Sequence, residues 1–197
     1  MEVAVFDGFD ELDVIGPLEA LRRAAGAGAD FEVALVTSDG QEMVRGANGV
    51  ALIPDGPVQA DAGILLLPGG GWVSRAEQGA WAEARSERWT PIIRRAREAG
   101  AVLAGVCTGT MLLATTGLLV GRRATTHHDA WADLEAAGAR LVRDRVVDDG
   151  DLVTSGGVTS GIDLGLWLVE RFAGATLADR LAGGIEYRRA RASAAPA

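Results

Sequence analysis

The sequence predicts an α/β fold: a three-layer sandwich with a mostly parallel central sheet and helices on both faces. Three observations predict it. Apolar runs of strand length alternate with helix-period segments through most of the chain, the order that builds a parallel sheet through crossover connections. The runs "AGILLLP" and "AVLAGV" carry no polar alternation, as strands covered on both faces do. The 197 residues, 48% hydrophobic and 23% charged, suit one domain that buries a large core without a disulfide or a structural metal.

The first run, Glu2–Phe6, is a strand stopped by Asp7-Gly8. In "ELDVIGPLEALRRAAGAG", Leu18, Leu21 and Ala25 fall at helical spacing, and Pro17 suits the first turn, where a missing N–H does no harm. Phe31 to Ser38 is the second strand. Gly40, Gly46, Gly49, Pro54, Gly56 and Pro57 break residues 40–60 into short antiparallel strands and turns. "AGILLLPGGG" is a central strand ending in Pro68 and three glycines. Helix resumes near Ala80 and runs to Ala99, divided or restarted at Pro91. Ala101–Val106 is another buried strand, and "TGTMLLATTG" is a helix ended by Gly117. "RRATTHHDAWADLEAAG" gives a short strand and a helix. "ARLVRDRVVDDGDLVTSGG" gives strands joined by a turn at Asp149-Gly150, a better reading of "DDGD" than half a calcium loop. "VTSGIDLGLWLVERFAG" is a helix with Ile162, Leu166 and Val169 on its apolar face, and "TLADRLAGGIEY" is the last helix. No repeat or linker divides residues 1–188, which form a single domain; residues 189–197 are expected to fray.

Charge and cysteine usage narrow the partners. The net charge is −8 with scattered basic residues, a surface that repels phosphate backbones, so no nucleic acid partner is expected. The start, "MEVAVFDGFD", lacks a basic segment and a cleavage site, so no signal peptide is expected. A lone cysteine forms no intramolecular disulfide and fits a reducing, cytoplasmic location. Residues 99–121 are uncharged and long enough to span a bilayer. Five glycines and four threonines interrupt them, and a buried strand followed by a buried helix explains them better than a membrane span.

"GVCTG" holds that lone cysteine in the spacing G-x-C-x-G, a nucleophile-elbow pattern with sulfur in the serine position. Gly105 and Gly109 remove the Cβ atoms that would clash where a strand turns sharply into a helix. At a helix N-terminus, Cys107 would have its pKa lowered by about one unit. The alternative is an inert core cysteine, and the pattern alone leaves both open. His127 and His128 show neither HxH nor HExxH spacing; they read as structural or surface residues, and no metal site is expected. Of the early acids, Asp10 and Glu11 suit helix capping. Asp13 lies between Leu12 and Val14-Ile15, in an apolar patch where a carboxyl needs a partner. It reaches the sulfur if the first strand neighbours the Cys107 strand. In "PGGGW" consecutive glycines bring backbone N–H groups close to a developing charge or a bound anion. The absence of a following Lys-Ser/Thr excludes a nucleotide phosphate loop.

Strand-"LPGG", strand-"GVCTG", "GRRATTH" and "VTSGGVTSGIDLGL", in this order, resemble the ThiJ/PfpI superfamily over residues 2 to 187. "ELDVIGP" with "CTG" is most similar to its isocyanide (isonitrile) hydratase branch. The resemblance implies a flavodoxin/amidotransferase-like fold, a homodimer and a small-molecule substrate, with no metal or organic cofactor. It implies that Cys107 is the nucleophile and Asp13 the catalytic acid/base. Thr108, Gly70 and Gly71 then form the substrate-binding or oxyanion loop around the sulfur. Protease-like relatives carry histidine directly after the cysteine; Thr108 stands there instead, against a Cys-His peptidase. Two other classes share these motifs. One is a non-catalytic small-molecule or redox sensor, since the sensor domains of some AraC-type regulators carry them; with Ala197 soon after the last helix, their helix-turn-helix is not expected here. The other is a glyoxalase- or deglycase-like enzyme acting on small aldehydes.

Overall fold

In the computed structural model, which describes residues 1–194, strand and helix alternate from the first residues. β1 (Glu2–Ala4) is wholly buried. α1 (Glu11–Gly26) starts at Asp10, whose carboxylate accepts the Leu12 N–H at 3.2 Å. That cap begins the helix well ahead of Pro17, which therefore sits inside it and not in its first turn. β2 (Ala34–Thr37) follows, then the antiparallel hairpin β3 (Val44–Arg45) and β4 (Ala51–Leu52), and β5 (Gly56–Pro57), which adds in parallel to β2. Glu11 caps nothing. Its carboxylate takes the Asn48 N–H and Nδ2, each at 2.6 Å, and so ties α1 to the hairpin turn.

β6 (Ile64–Leu67) is buried at every residue. α2 (Ala80–Ser86) and α3 (Thr90–Glu98) are separate helices, with Pro91 in the first turn of α3. The uncharged stretch divides into β7 (Val102–Val106) and α4 (Gly109–Ala114). No helix among the described residues is long and apolar enough to cross a membrane. β8 (Arg123–Ala124), a 3-10 turn at His128–Ala130, α5 (Trp131–Ala136) and β9 (Arg140–Leu141) form a small unit in which β8 and β9 pair in parallel. β10 (Val146–Asp148) and β11 (Leu152–Ser155) are an antiparallel pair. α6 (Ser160–Ala173), α7 (Ala175–Gly184) and β12 (Ser193–Ala194) complete the chain as described.

The main sheet runs β12-β10-β11-β7-β6-β1-β2-β5, parallel at every junction except β10–β11. The helices pack in two groups, α1 with α6 and α7, and α2 and α3 with α4, as the two outer layers of a sandwich. The strand order answers one condition the sequence left open, and one expectation changes. β6 lies between β1 and β7, so the first strand does not neighbour the Cys107 strand. The tail expected to fray from residue 189 is held as far as Ala194: Arg189 pairs with Glu170 and Asp179, and β12 hydrogen-bonds beside β10.

α1 and α6 approach closely enough to fix the entry of α1. A Cβ on Gly165 would stand 2.6 Å from Pro17 Cα, and one on Gly16 would stand 3.1 Å from Ile162 Cγ1. That contact presses the first turn of α1, with Asp13, against the carboxyl ends of the central strands, where open α/β sheets bind ligands.

Candidate active site

Cys107 is the corner between β7 and α4, with φ +54°, a left-handed conformation that a residue with a Cβ adopts only when its surroundings enforce it. Those surroundings are visible. Its N–H donates to the Ser155 and Gly156 carbonyls at 3.1 Å each, and its carbonyl accepts the Thr126 hydroxyl at 2.8 Å. The flanking glycines are required sterically. A Cβ on Gly105 would lie 2.8 Å from Thr110 Cα, and one on Gly109 would collide with the Leu67 carbonyl oxygen.

Asp13 has no exposed surface. It arrives from α1, across the end of β6. Its Oδ2 accepts the Gly69 N–H at 2.9 Å, and Oδ1 is buried without a hydrogen-bond partner among the described residues. The neighbouring group with a proton to offer is the Cys107 thiol. Gly69 is bare for this reason: a Cβ there would stand 2.5 Å from Thr108 Oγ1 and 2.9 Å from Asp13 Oδ2. The Gly70 N–H donates to Thr108 Oγ1 at 3.1 Å. The N–H groups of Gly69 and Gly70 are thus taken by the site's own side chains.

The electrostatics also differ from the helix-dipole expectation. Burial pushes the Cys107 thiol well above its ordinary range, and the Asp13 charge pushes it further. Only the backbone N–H groups of Val158 and Thr108, directed at the sulfur, oppose this. A six-residue α4 does not outweigh burial. Asp13 is raised in the same way, by burial first and by the Asp10 charge second, against the Gly69 N–H and the neighbouring Cys107 thiol. The influence is not mutual: the Asp13 charge raises the thiol, whereas the thiol favours the ionised form of Asp13, so the two buried acids are coupled in titration.

A cavity of about 330 Å³ opens above this pair. Cys107, Thr108, Gly70 and Gly71 all line it, while Asp13 lies beneath it. Sequence reasoning did not place Asp10, Trp72, His127 or Val158 there. Trp72 is anchored by its Nε1, which donates to Asp133 at 2.7 Å. His127 packs on Gly157, where a Cβ would collide with its ring. Burial and the neighbouring His128 hold its pKa below the ordinary histidine value. His127, His128 and Asp129 bring ligand-type atoms within 4.8 Å of one another. The two imidazoles stack at 4.3 Å instead of converging on a point, and His127 Nδ1 already accepts the Asp129 N–H.

Comparison with known proteins gives the arrangement a context. Residues 2–171 match the DJ-1/PfpI family. The chain is 34% identical over 188 residues to an isonitrile hydratase from Pseudomonas putida, covering 93% of this chain and 76% of that one. It is 30% identical over 155 residues to a deglycase from Thermococcus kodakarensis, covering 76% and 84%. Among solved structures, a ThiJ/PfpI family protein from Pseudomonas syringae superposes with a TM-score of 0.83 at 26% identity, over 96% of this chain and 75% of the other.

Proposed function

The chain belongs to the DJ-1/PfpI family, and on that premise we propose that it is a cofactor-free enzyme that adds water to isocyanides, giving N-substituted formamides. One observation carries the reading. The elbow cysteine is paired with a fully buried carboxyl, Asp13, and the residue after it is Thr108, so no histidine stands in the adjacent position. A neutral, linear substrate whose terminal carbon accepts a nucleophile and then a proton suits a thiol–carboxyl pair that holds one proton. The relationship to an isonitrile hydratase at 34% identity supports the same chemistry.

The sulfur of Cys107 adds to the terminal carbon of R–N≡C, and the proton held by the Asp13–Cys107 pair goes to that carbon. The product is a thioimidate, R–N=CH–S–Cys107, with Asp13 ionised. Water adds across the C=N bond, its oxygen to carbon and one proton to nitrogen. The remaining hydroxyl proton returns to Asp13 as the C–S bond breaks. R–NH–CHO leaves, and the pair regains its single proton. Thr108, oriented by the Gly70 N–H, and Gly71 line the path of the substrate. All of these groups come from one chain; the working unit is proposed to be a homodimer in the cytoplasm.

The test is turnover of para-nitrophenyl isocyanide and of methylglyoxal by the wild type and by Cys107→Ala. Hydration of the isocyanide that is lost in the variant supports the hydratase. Turnover of methylglyoxal alone assigns the site to the chemistry of the deglycase relative, and turnover of neither leaves a sensor.

A further inference from the structure

Val158, like Cys107, is held in a costly conformation. Its φ is +43°, a region that a β-branched residue avoids. Its N–H is one of the two that face the sulfur, so something must keep the turn from relaxing. Arg145 grips that turn on both sides. Its backbone carbonyl accepts the Gly156 N–H at 3.0 Å, and its Nη2 donates to Thr159 Oγ1 at 3.2 Å. Arg145 is fixed in turn by Asp163, which is fully buried in the first turn of α6 and accepts from Arg145 Nε at 2.6 Å. The Tyr187 hydroxyl donates to the same carboxylate oxygen at 2.8 Å and lies 3.0 Å from Arg145 Nη2 as its acceptor. The Ala190 N–H donates to the other oxygen at 2.6 Å, so the C-terminal segment closes over the back of the turn. Neither Arg145, Thr159 nor Asp163 lines the cavity above Cys107.

We propose that Arg145 and Asp163 are positioning residues for Cys107: they brace the turn at residues 156–159 so that the Val158 N–H stays on the sulfur when it carries negative charge. Without the brace the turn relaxes toward negative φ and the N–H swings away. The thiolate then loses a hydrogen bond while no group that touches substrate has changed. The inference rests on the proposed function only in taking Cys107 as the reacting atom. Its readout, alkylation of the thiol, needs no isocyanide, so either idea can fail without the other.

Cys107 is the only cysteine in the chain, so alkylation by iodoacetamide reports on it alone. The experiment follows the alkylation rate and the ultraviolet thiolate absorbance against pH, with Tm measured alongside. Thr159→Val removes one contact at an exposed residue. It is expected to slow alkylation about three- to tenfold at a pH below the midpoint, with the profile displaced upward by as much as about one unit. Arg145→Met is expected to do at least as much. Arg145→Lys restores the charge beside Asp163 but not the planar fork that reaches Thr159 and Tyr187 as well. It should keep Tm near that of the wild type and still show part of the displacement. A purely structural role predicts lower Tm with an unmoved profile. Superimposable profiles for wild type, Thr159→Val and Arg145→Lys would overturn the proposal, whatever Arg145→Met does to stability.

Discussion

At the scale of a single residue, Asp13 is a buried carboxyl that costs stability. Its carboxyl is removed from water, keeps one backbone partner and meets the charge of Asp10. The sign of the pH dependence follows. The unfolded chain releases the Asp13 proton at the ordinary carboxyl value, whereas the folded chain holds it to well above that value. Between the two the unfolded state binds fewer protons, so Asp13 makes stability fall as pH rises. Asp13→Asn keeps an oxygen for the Gly69 N–H and removes the ionisation. Calorimetry is expected to find the variant more stable than the wild type at neutral pH. The gap should close as pH falls toward about 4, where the unfolded carboxyl is protonated too. Each kcal/mol would read as about 2–4 °C in Tm for a domain of this size. The same variant should lose about 10²- to 10⁴-fold in isocyanide turnover, the usual worth of a positioned acid. A variant less stable than wild type at neutral pH would show that the buried carboxyl is not the burden its surroundings imply.

At the scale of the element, the corner between β7 and α4 is built by steric exclusion. Gly109 opens α4, where alanine is ordinarily better by about 1 kcal/mol. Here a Cβ meets the Leu67 carbonyl at the end of β6. Gly109→Ala should therefore cost about 1–3 kcal/mol despite its helix propensity. Gly117→Ala, at φ +78° with nothing near its Cβ, isolates the backbone contribution alone. If thermal unfolding ranks Gly109→Ala as the milder change, the corner is not held by that contact. The elements that carry the site differ in how far the sequence reveals them. β6 and β7 are legible because an unbroken apolar run at strand length has few other uses. Cys107, Thr108, Gly70 and Gly71 are legible because an elbow and a glycine turn have local spacing, and all four line the cavity. Gly69 and Val158 are not. Each contributes a backbone N–H or a bare Cα, and a valine at positive φ leaves no mark in composition or period. Strand order is equally hidden, because local sequence does not say that β6 comes between β1 and β7. The start of α1 is hidden because Pro17 looks like a first-turn residue, whereas the Asp10 cap sets the start earlier. The anchoring of residues 189–194 depends on Glu170, Asp179 and Asp163, partners on α6 and α7 that are distant in sequence.

At the scale of the molecule, part of the apolar surface left uncovered lies on α1 and at the hairpin. Ile53 is 80% exposed, Val50 45% and Ile15 38%. Glu11, one turn before Ile15, accepts the Val50 N–H at 3.4 Å, which brings the helix and β4 together on one side. A two-fold contact between copies would cover the same patch on both, since a residue on one face of a symmetric pair meets its counterpart on the other. That is the surface through which the proposed homodimer is expected to form. Because Asp10 caps that helix and Asp13 lies in its first turn, the contact would also stiffen the approach to Cys107. Sedimentation equilibrium at micromolar protein should give a dimer for the wild type and a monomer for Ile53→Asp combined with Val50→Asp. The monomer should still alkylate at Cys107, because Thr108, Asp13 and the turn at Val158 belong to the same chain as the sulfur. A wild type that sediments as a monomer removes the dimer. A double variant that remains dimeric moves the contact to another face.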